Sequence, residues 1–207
     1  SPLKAADDHV VFKHLAKRLA YQHDLSVTFM AKIDPSLPGS SCHIHFSICD
    51  PKGSPISGNR EHGLSDTGRA FLAGLVNNTN DFTTLFCPYL NSYKRLQPES
   101  FAPSNCTWGM DNRSVMIRVV GGKTLRFEFR LPGADSNPYW TISGLIAAGL
   151  AGLQQHTELC EPTIGNAYAT SAKAVPGDLS EAVDAFASSQ IAVSAFTPEV
   201  HRHLLGL

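Results

Sequence analysis

The order of apolar and polar positions divides the chain into segments of different period. Over residues 5–23, Val11, Leu15 and Leu19 recur at helical spacing, with the acids Asp7 and Asp8 early and the bases Lys13, Lys17 and Arg18 late, as a helix dipole favours. Over 26–33 the period becomes two: Val27, Phe29, Ala31 and Ile33 alternate with Thr28, Met30 and Lys32, which predicts a strand. A loop with Pro35, Pro38 and Gly39 follows, and 42–49 alternates again as a second strand. Residues 51–63, rich in Gly, Pro and Ser, predict a turn or surface loop. Residues 65–78 predict a helix capped by Ser65, with Phe71, Leu72 and Leu75 inward. No period persists over 91–103, which predicts a long ordered loop of the kind that often carries function. Two strands are expected at 115–120 and 124–131 around Gly121-Gly122, then a helix from Asn137-Pro138 to about residue 156. The remainder, 157–207, changes texture. A turn-rich stretch over 161–177 leads into a capping box at Asp178-Leu179-Ser180-Glu181 for a short helix to 187, and Thr197-Pro198 opens another that stops at Gly206.

Composition narrows the class. With 207 residues, 43% hydrophobic and 17% charged, the chain can bury a substantial core and fits one globular domain. A net charge of −1 gives no general attraction to nucleic acid or to an acidic membrane, so neither is an expected partner. Any anion site must come from a local cluster of Arg and Lys. The five cysteines, 42, 49, 87, 106 and 160, are odd in number and lack CxxC spacing. That argues against a disulfide framework or zinc ribbon and for reduced thiols in a cytoplasmic setting. The first residues are polar and mixed in charge, unlike a signal peptide. The most apolar stretch, 142–153, is too short for a membrane span and reads as a buried helix.

Two strands carry chemical faces. In 42–49, alternation places His43, His45 and Ser47 on one side and Ile44, Phe46 and Ile48 on the other. Two imidazoles on one strand suit either a shared site or ordinary structural histidines, and two alone do not make a metal centre. In 124–131, Arg126, Glu128 and Arg130 share one face while Leu125, Phe127, Phe129 and Leu131 share the other. An exposed face of paired charges is one reading. The other is a cradle for phosphates or carboxylates, since Arg95, Arg113, Arg118 and Lys123 precede it in a nearly neutral chain, with Glu128 placed to hold a divalent ion.

Taken together, these motifs resemble those of the glutamine synthetase superfamily. The resemblance rests on Phe29-Met30-Ala31-Lys32, on Gly39 through Ser47 with His43 and His45, on Asn91-Ser92-Tyr93-Lys94-Arg95-Leu96, and on Asn112-Arg113-Ser114 with Ile117-Arg118. It continues through Arg126-Phe127-Glu128-Phe129-Arg130 and Asn137-Pro138-Tyr139, in family order from about residue 5 to 156. It implies an α+β fold, a curved, mainly antiparallel sheet backed by helices. Residues 1–207 would be the carboxyl-terminal portion of the catalytic domain, with 157–207 its helical tail. The implied chemistry is ATP-dependent ligation of glutamate to ammonia or an amine through an acyl phosphate, with Mg²⁺ or Mn²⁺, in a homo-oligomer. By the same resemblance His43 and Glu128 are metal ligands, and His45, Phe46 and Ser47 line the nucleotide pocket. Arg113 meets the transferring phosphoryl group, with Arg118 and Lys123 on the nucleotide side and Arg126 at the phosphate end. Gly39, Arg95 and Arg130 hold glutamate.

Two departures qualify this resemblance. The family's amino-terminal β-grasp domain and the strands bearing its other metal carboxylates have no counterpart in these residues, and Asp7, Asp8, Glu61 and Asp66 match none of those positions. The chain taken alone is therefore expected to lack ligase activity. Ammonium-using members carry Glu immediately before an Ala-Pro pair, whereas this chain has Phe101 before Ala102-Pro103, with Glu99 two residues earlier. Together with Trp108-Gly109 and Asp111-Asn112-Arg113, this resembles the γ-glutamylpolyamine synthetase branch and implies an organic amine as substrate, Phe101 facing it. Pro38 also replaces a family Asn beside Gly39. Ordinary ammonia-using glutamine synthetase is the alternative. A non-catalytic scaffold of the same fold is a further one, although a scaffold has no physical need for His43, Arg113, Glu128 and Arg130 together.

Overall fold

The computed structural model describes residues 1–59 and 63–206. Glu61 and the rest of the 60–62 part of the expected 51–63 loop lie outside the described residues, as does Leu207. The first helix, α1 (Pro2–Gln22), starts at the Ser1 cap, whose hydroxyl accepts from the Lys4 N–H at 3.3 Å. It begins three residues ahead of the expected start, so Asp7 and Asp8 lie beyond its first turn and do not serve the dipole there. Its apolar stripe is uncovered: Val11, Leu15 and Leu19 are exposed, and Ala6 is the residue of this helix that is buried.

The expected strand over 26–33 does not form. These residues adopt no regular secondary structure. A side-chain amide takes the place of a neighbouring strand: Asn91 Oδ1 accepts from the Lys32 N–H at 2.9 Å, and Asn91 Nδ2 donates to the Lys32 carbonyl at 2.7 Å. Alternation marks a face, but a strand also needs a partner for its backbone groups. The second expected strand is real but short, β1 (Ile44–Phe46). A small antiparallel pair, β2 (Gly58–Asn59) and β3 (Gly63–Leu64), falls within the region expected to be loop.

Helix α2 (Asp66–Asn78) forms as its cap predicts, with Ser65 Oγ accepting from the Gly68 N–H at 3.0 Å and Phe71, Leu72 and Leu75 buried. Two short helices follow, α3 (Thr83–Phe86) and α4 (Leu90–Tyr93), the second occupying the start of the expected 91–103 loop. Three strands complete the main sheet: β4 (Trp108–Met110), β5 (Ile117–Val120) and β6 (Arg126–Phe129). Their order is β1-β6-β5-β4; β1/β6 and β5/β6 are antiparallel and β4/β5 is parallel. The sheet is thus mixed. Helix α5 (Pro138–Gln155) is capped by Asn137, and the tail contributes α6 (Leu179–Ser188), α7 (Gln190–Ala195) and α8 (Pro198–Leu204). Of these, α7 had no signal in the pattern. At α6 the Asp178 side chain caps the Glu181 N–H as expected, but Glu181 Oε2 accepts from Gly177 rather than from Asp178.

One side of the sheet makes the core. Phe129 packs edge-on against Phe86 of α3 with centroids 4.9 Å apart, and Phe46 lies 5.2 Å from Phe127 and 5.8 Å from Phe71 of α2. Helices α2 and α5 touch backbone to backbone, since a Cβ on Gly74 would fall 2.7 Å from the Gly152 Cα. The tail joins the same core through Phe186 and Phe196, which meet Phe82 and Trp140. It also covers the outer edge of β4, where the Thr163 N–H donates to the Trp108 carbonyl at 2.8 Å. All five cysteines are free thiols. Among the described residues no helix is long and apolar enough to cross a membrane.

Candidate active site

The register of the sheet assembles the site on the face opposite Phe127 and Phe129. His45 pairs with Glu128 across β1/β6, and Arg118 pairs with Glu128 across β5/β6, so one row across three strands carries an imidazole, a carboxylate and a guanidinium. One step along the same face, His43 and Arg130 flank the carboxylate. Glu128 is 4% exposed and Arg130 5%. Arg130 Nη1 donates to Glu128 Oε1 at 2.9 Å and Arg118 Nη1 to Oε2 at 3.1 Å. His43 Nδ1 lies 3.0 Å from Oε1, and His45 Nε2 3.9 Å from it. The second Arg118 nitrogen, Nη2, reaches Asp111 at 3.2 Å.

Electrostatics fixes the charge states. Burial alone would raise the Glu128 pKa, but Arg130, Arg118 and the two histidines outweigh it and hold the carboxyl below its ordinary value. Burial first, and Arg130 next, push His43 down to about 4, with Glu128 opposing. His43 is therefore neutral at neutral pH, with its Nδ1 in close contact with Glu128. A neutral imidazole beside an ionised carboxylate is a donor set that suits Mg²⁺ or Mn²⁺. No group of three or more His, Cys, Asp or Glu among the described residues is arranged to hold a metal ion, so these two donors would form part of a coordination sphere.

Arg95 is a buried cation of another kind. It is 3% exposed and makes no ion pair among the described residues, its Nη2 donating to the Leu131 carbonyl. Gly39 lies directly on it, since a Cβ there would fall 2.6 Å from the Arg95 Cγ. The Nε–H groups of Arg95, Arg118 and Arg130 are all buried without an acceptor. Three buried Nε–H donors without an acceptor are groups that an anion would satisfy.

The loop carrying Phe101 closes one side. Phe101 has φ +59°, a left-handed conformation unusual for a bulky residue, and its ring is 75% exposed. Its carbonyl accepts from Arg130 Nη2 at 3.2 Å, which brings the loop to the charged cluster.

The remaining expected residues are peripheral to this cluster. Arg113 is exposed and, with Arg118, Asp111 and Ile164, borders a cavity of about 760 Å³. Lys123 and Arg126 are exposed at the β5/β6 end, and their side chains make no hydrogen bond or ion pair with described residues. His45 and Ser47 border a second cavity of about 540 Å³, between β1 and the first turn of α1. Phe46, with Ile44, Ile48, Phe71 and Leu145, lines that cavity from the apolar side of β1, the face opposite His45 and Ser47, its ring packed against Phe71 and Phe127. Two contributors had no role assigned from sequence. Asp111 belonged to a quoted motif but not to the expected site, and Tyr168 of the tail, in no motif, donates to the Ala102 carbonyl at 3.0 Å.

Comparison with known proteins identifies the family and the fold. The family model described as the glutamine synthetase catalytic domain matches residues 1–206. The γ-glutamylethanolamide synthetase GlnA4 of Streptomyces coelicolor is 48% identical over 202 residues, 97% of this chain and 43% of that protein. A glutamate–isopropylamine ligase from a Pseudomonas species is 39% identical over 208 residues, 97% of this chain and 45% of that protein. The solved structure of a GmaS/ADP complex superposes with a TM-score of 0.91 at 31% identity, covering 100% of this chain and 50% of that one. The chain thus spans about half the length of these relatives or slightly less.

Proposed function

Because this chain belongs to the glutamine synthetase catalytic-domain family, we propose that it is the carboxyl-terminal portion of an ATP-dependent ligase that joins the γ-carboxylate of glutamate to an organic amine, polyamines included. The γ-phosphoryl group of ATP passes to a carboxylate oxygen, releasing ADP and giving an acyl phosphate. The amine nitrogen then attacks the carbonyl carbon, the bond from that carbon to the phosphate oxygen breaks, and the nitrogen loses its extra proton. Phosphoryl transfer asks mainly for in-line positioning and charge neutralisation. Arg113, exposed and without a side-chain partner among the described residues, would meet the transferring group, with Arg118, Lys123 and Arg126 along the phosphates. His45 and Ser47 would border the nucleotide, with Phe46 behind them. Gly39, Arg95 and Arg130 would hold glutamate. His43 and Glu128 would hold Mg²⁺ or Mn²⁺, which when bound supplies further neutralisation at the phosphates. Residues 157–207 act as the tail of this same domain, and the whole protein works as a homo-oligomer.

The observation that carries the choice of acceptor is Phe101, its ring exposed at the loop tip while its carbonyl is joined to Arg130. An apolar ring offers packing surface and a π face to an alkylamine, but no negative charge for ammonium. The second reading, ammonia, rests on Glu99 in the same loop, held at φ +61°. Turnover by the full-length protein with primary amines, diamines and ammonium separates the two. The expected result is a higher kcat/KM for an organic amine, and a higher value for ammonium overturns the choice.

A further inference from the structure

Resting on that reading, we propose that Tyr168 is a positioning residue for the acceptor loop, holding through the Ala102 carbonyl the backbone that presents Phe101 to the amine. Phe101 occupies a backbone conformation that L-residues disfavour, and such a conformation persists only where its surroundings over-determine it. Two donors grip successive carbonyls there: Arg130 Nη2 that of Phe101 at 3.2 Å, and Tyr168 Oη that of Ala102 at 3.0 Å. Burial raises the Tyr168 pKa against the opposing Arg130, so the phenol keeps its proton and stays a donor at neutral pH.

Tyr168 is itself firmly placed. Its N–H donates to the Asn166 side chain at 3.0 Å, and Asn105 Nδ2 donates to the Ala167 carbonyl at 3.1 Å. The same short segment is attached at its other side to the turn that bears Arg113. Asn112 Nδ2 donates to the Gly165 carbonyl at 2.8 Å, and the Ala167 N–H donates to Ser114 Oγ at 2.9 Å. Residues 163–168 therefore tie the phosphate-side turn to the acceptor-side loop, and Tyr168 is the end of that tie which reaches the loop.

The test uses full-length Tyr168→Phe, which keeps the ring and removes the donor. Hydrogen exchange of the peptide 97–104 is expected to quicken, and KM for the amine to rise about five- to tenfold, the effect of losing one hydrogen bond. KM for ATP and glutamate, kcat and Tm should change little. Asn166→Ala, which loosens the segment beneath Tyr168, should quicken exchange in the same peptide to a lesser degree. Unchanged exchange in both variants overturns the positioning role whatever the kinetics show. Quickened exchange with all three KM values rising alike overturns the link to the amine. Quickened exchange in a protein that ligates no amine supports the hold on the loop and sinks the proposed function instead.

Discussion

The cations of the site fall into two sets that differ in what they already hold. Arg95 and Arg130 are buried and Arg118 is half-buried, Arg118 and Arg130 sharing Glu128, while the side chains of Arg113, Lys123 and Arg126 stand exposed without a partner among the described residues. An inner guanidinium needs acceptors within the fold, carboxylates for Arg118 and Arg130 and the Leu131 carbonyl for Arg95, because little water is available to solvate it. An outer one is solvated until an anion arrives, and its pairing has little effect on the fold. Residues of one chemical type thus serve two ends: the inner set shapes a cavity with fixed charge, and the outer set is free to respond to a ligand.

Substitutions can break this distinction. The largest effect is expected for Glu128→Ala, which leaves the buried Arg130 without a carboxylate and the half-buried Arg118 with Asp111 alone, and should cost about 3–5 kcal/mol of stability in urea denaturation. A loss inside the scatter of surface substitutions would erase the inner set as a class. Next comes Arg113→Ala in the full-length ligase, expected to lower kcat about 10²- to 10³-fold, as loss of a transition-state donor does. Its denaturation midpoint should be unchanged; a midpoint that falls as Glu128→Ala does would move Arg113 into the inner set. The smallest effects belong to Lys123→Ala and Arg126→Ala, each expected to weaken nucleotide binding by about 0.2–1 kcal/mol. Calorimetry at two salt concentrations would show that difference shrinking at the higher one, and a salt-independent loss would argue that these side chains are not solvated.

Much of the fold was legible because its signals were local. Ser65 and Asn137 mark the starts of α2 and α5 whatever surrounds them, and period two separates Arg126, Glu128 and Arg130 from Phe127 and Phe129 before any partner is known. What depended on a distant partner was not legible. Residues 26–33 alternate well yet form no strand, for want of a ladder. Conversely, Trp108-Gly109-Met110 shows no alternation and is a strand because β5 and the tail flank it. The stripe on α1 is genuine in sequence and uncovered in the structure.

The same division applies to the site. Motifs identified His43, Glu128 and Arg130, and the structure brings His43 to 3.0 Å and Arg130 to 2.9 Å from Glu128. The engagement of Arg118 with both Glu128 and Asp111 required the register, which composition does not specify. Tyr168 carried no signal because its partner is a backbone carbonyl 66 positions away.

The two bonds between Asn91 and Lys32 have a chemical lifetime as well as a strength. An amide presents donor and acceptor side by side, and asparagine is among the thermolabile residues. Hydrolysis to aspartate would leave the acceptor toward the Lys32 N–H but set an anionic oxygen against the Lys32 carbonyl. One fastening would become a repulsion without any change in the rest of the chain. The attachment of residues 26–33 therefore ages with a single covalent bond, and a stored sample would show that ageing there as a one-dalton gain in mass.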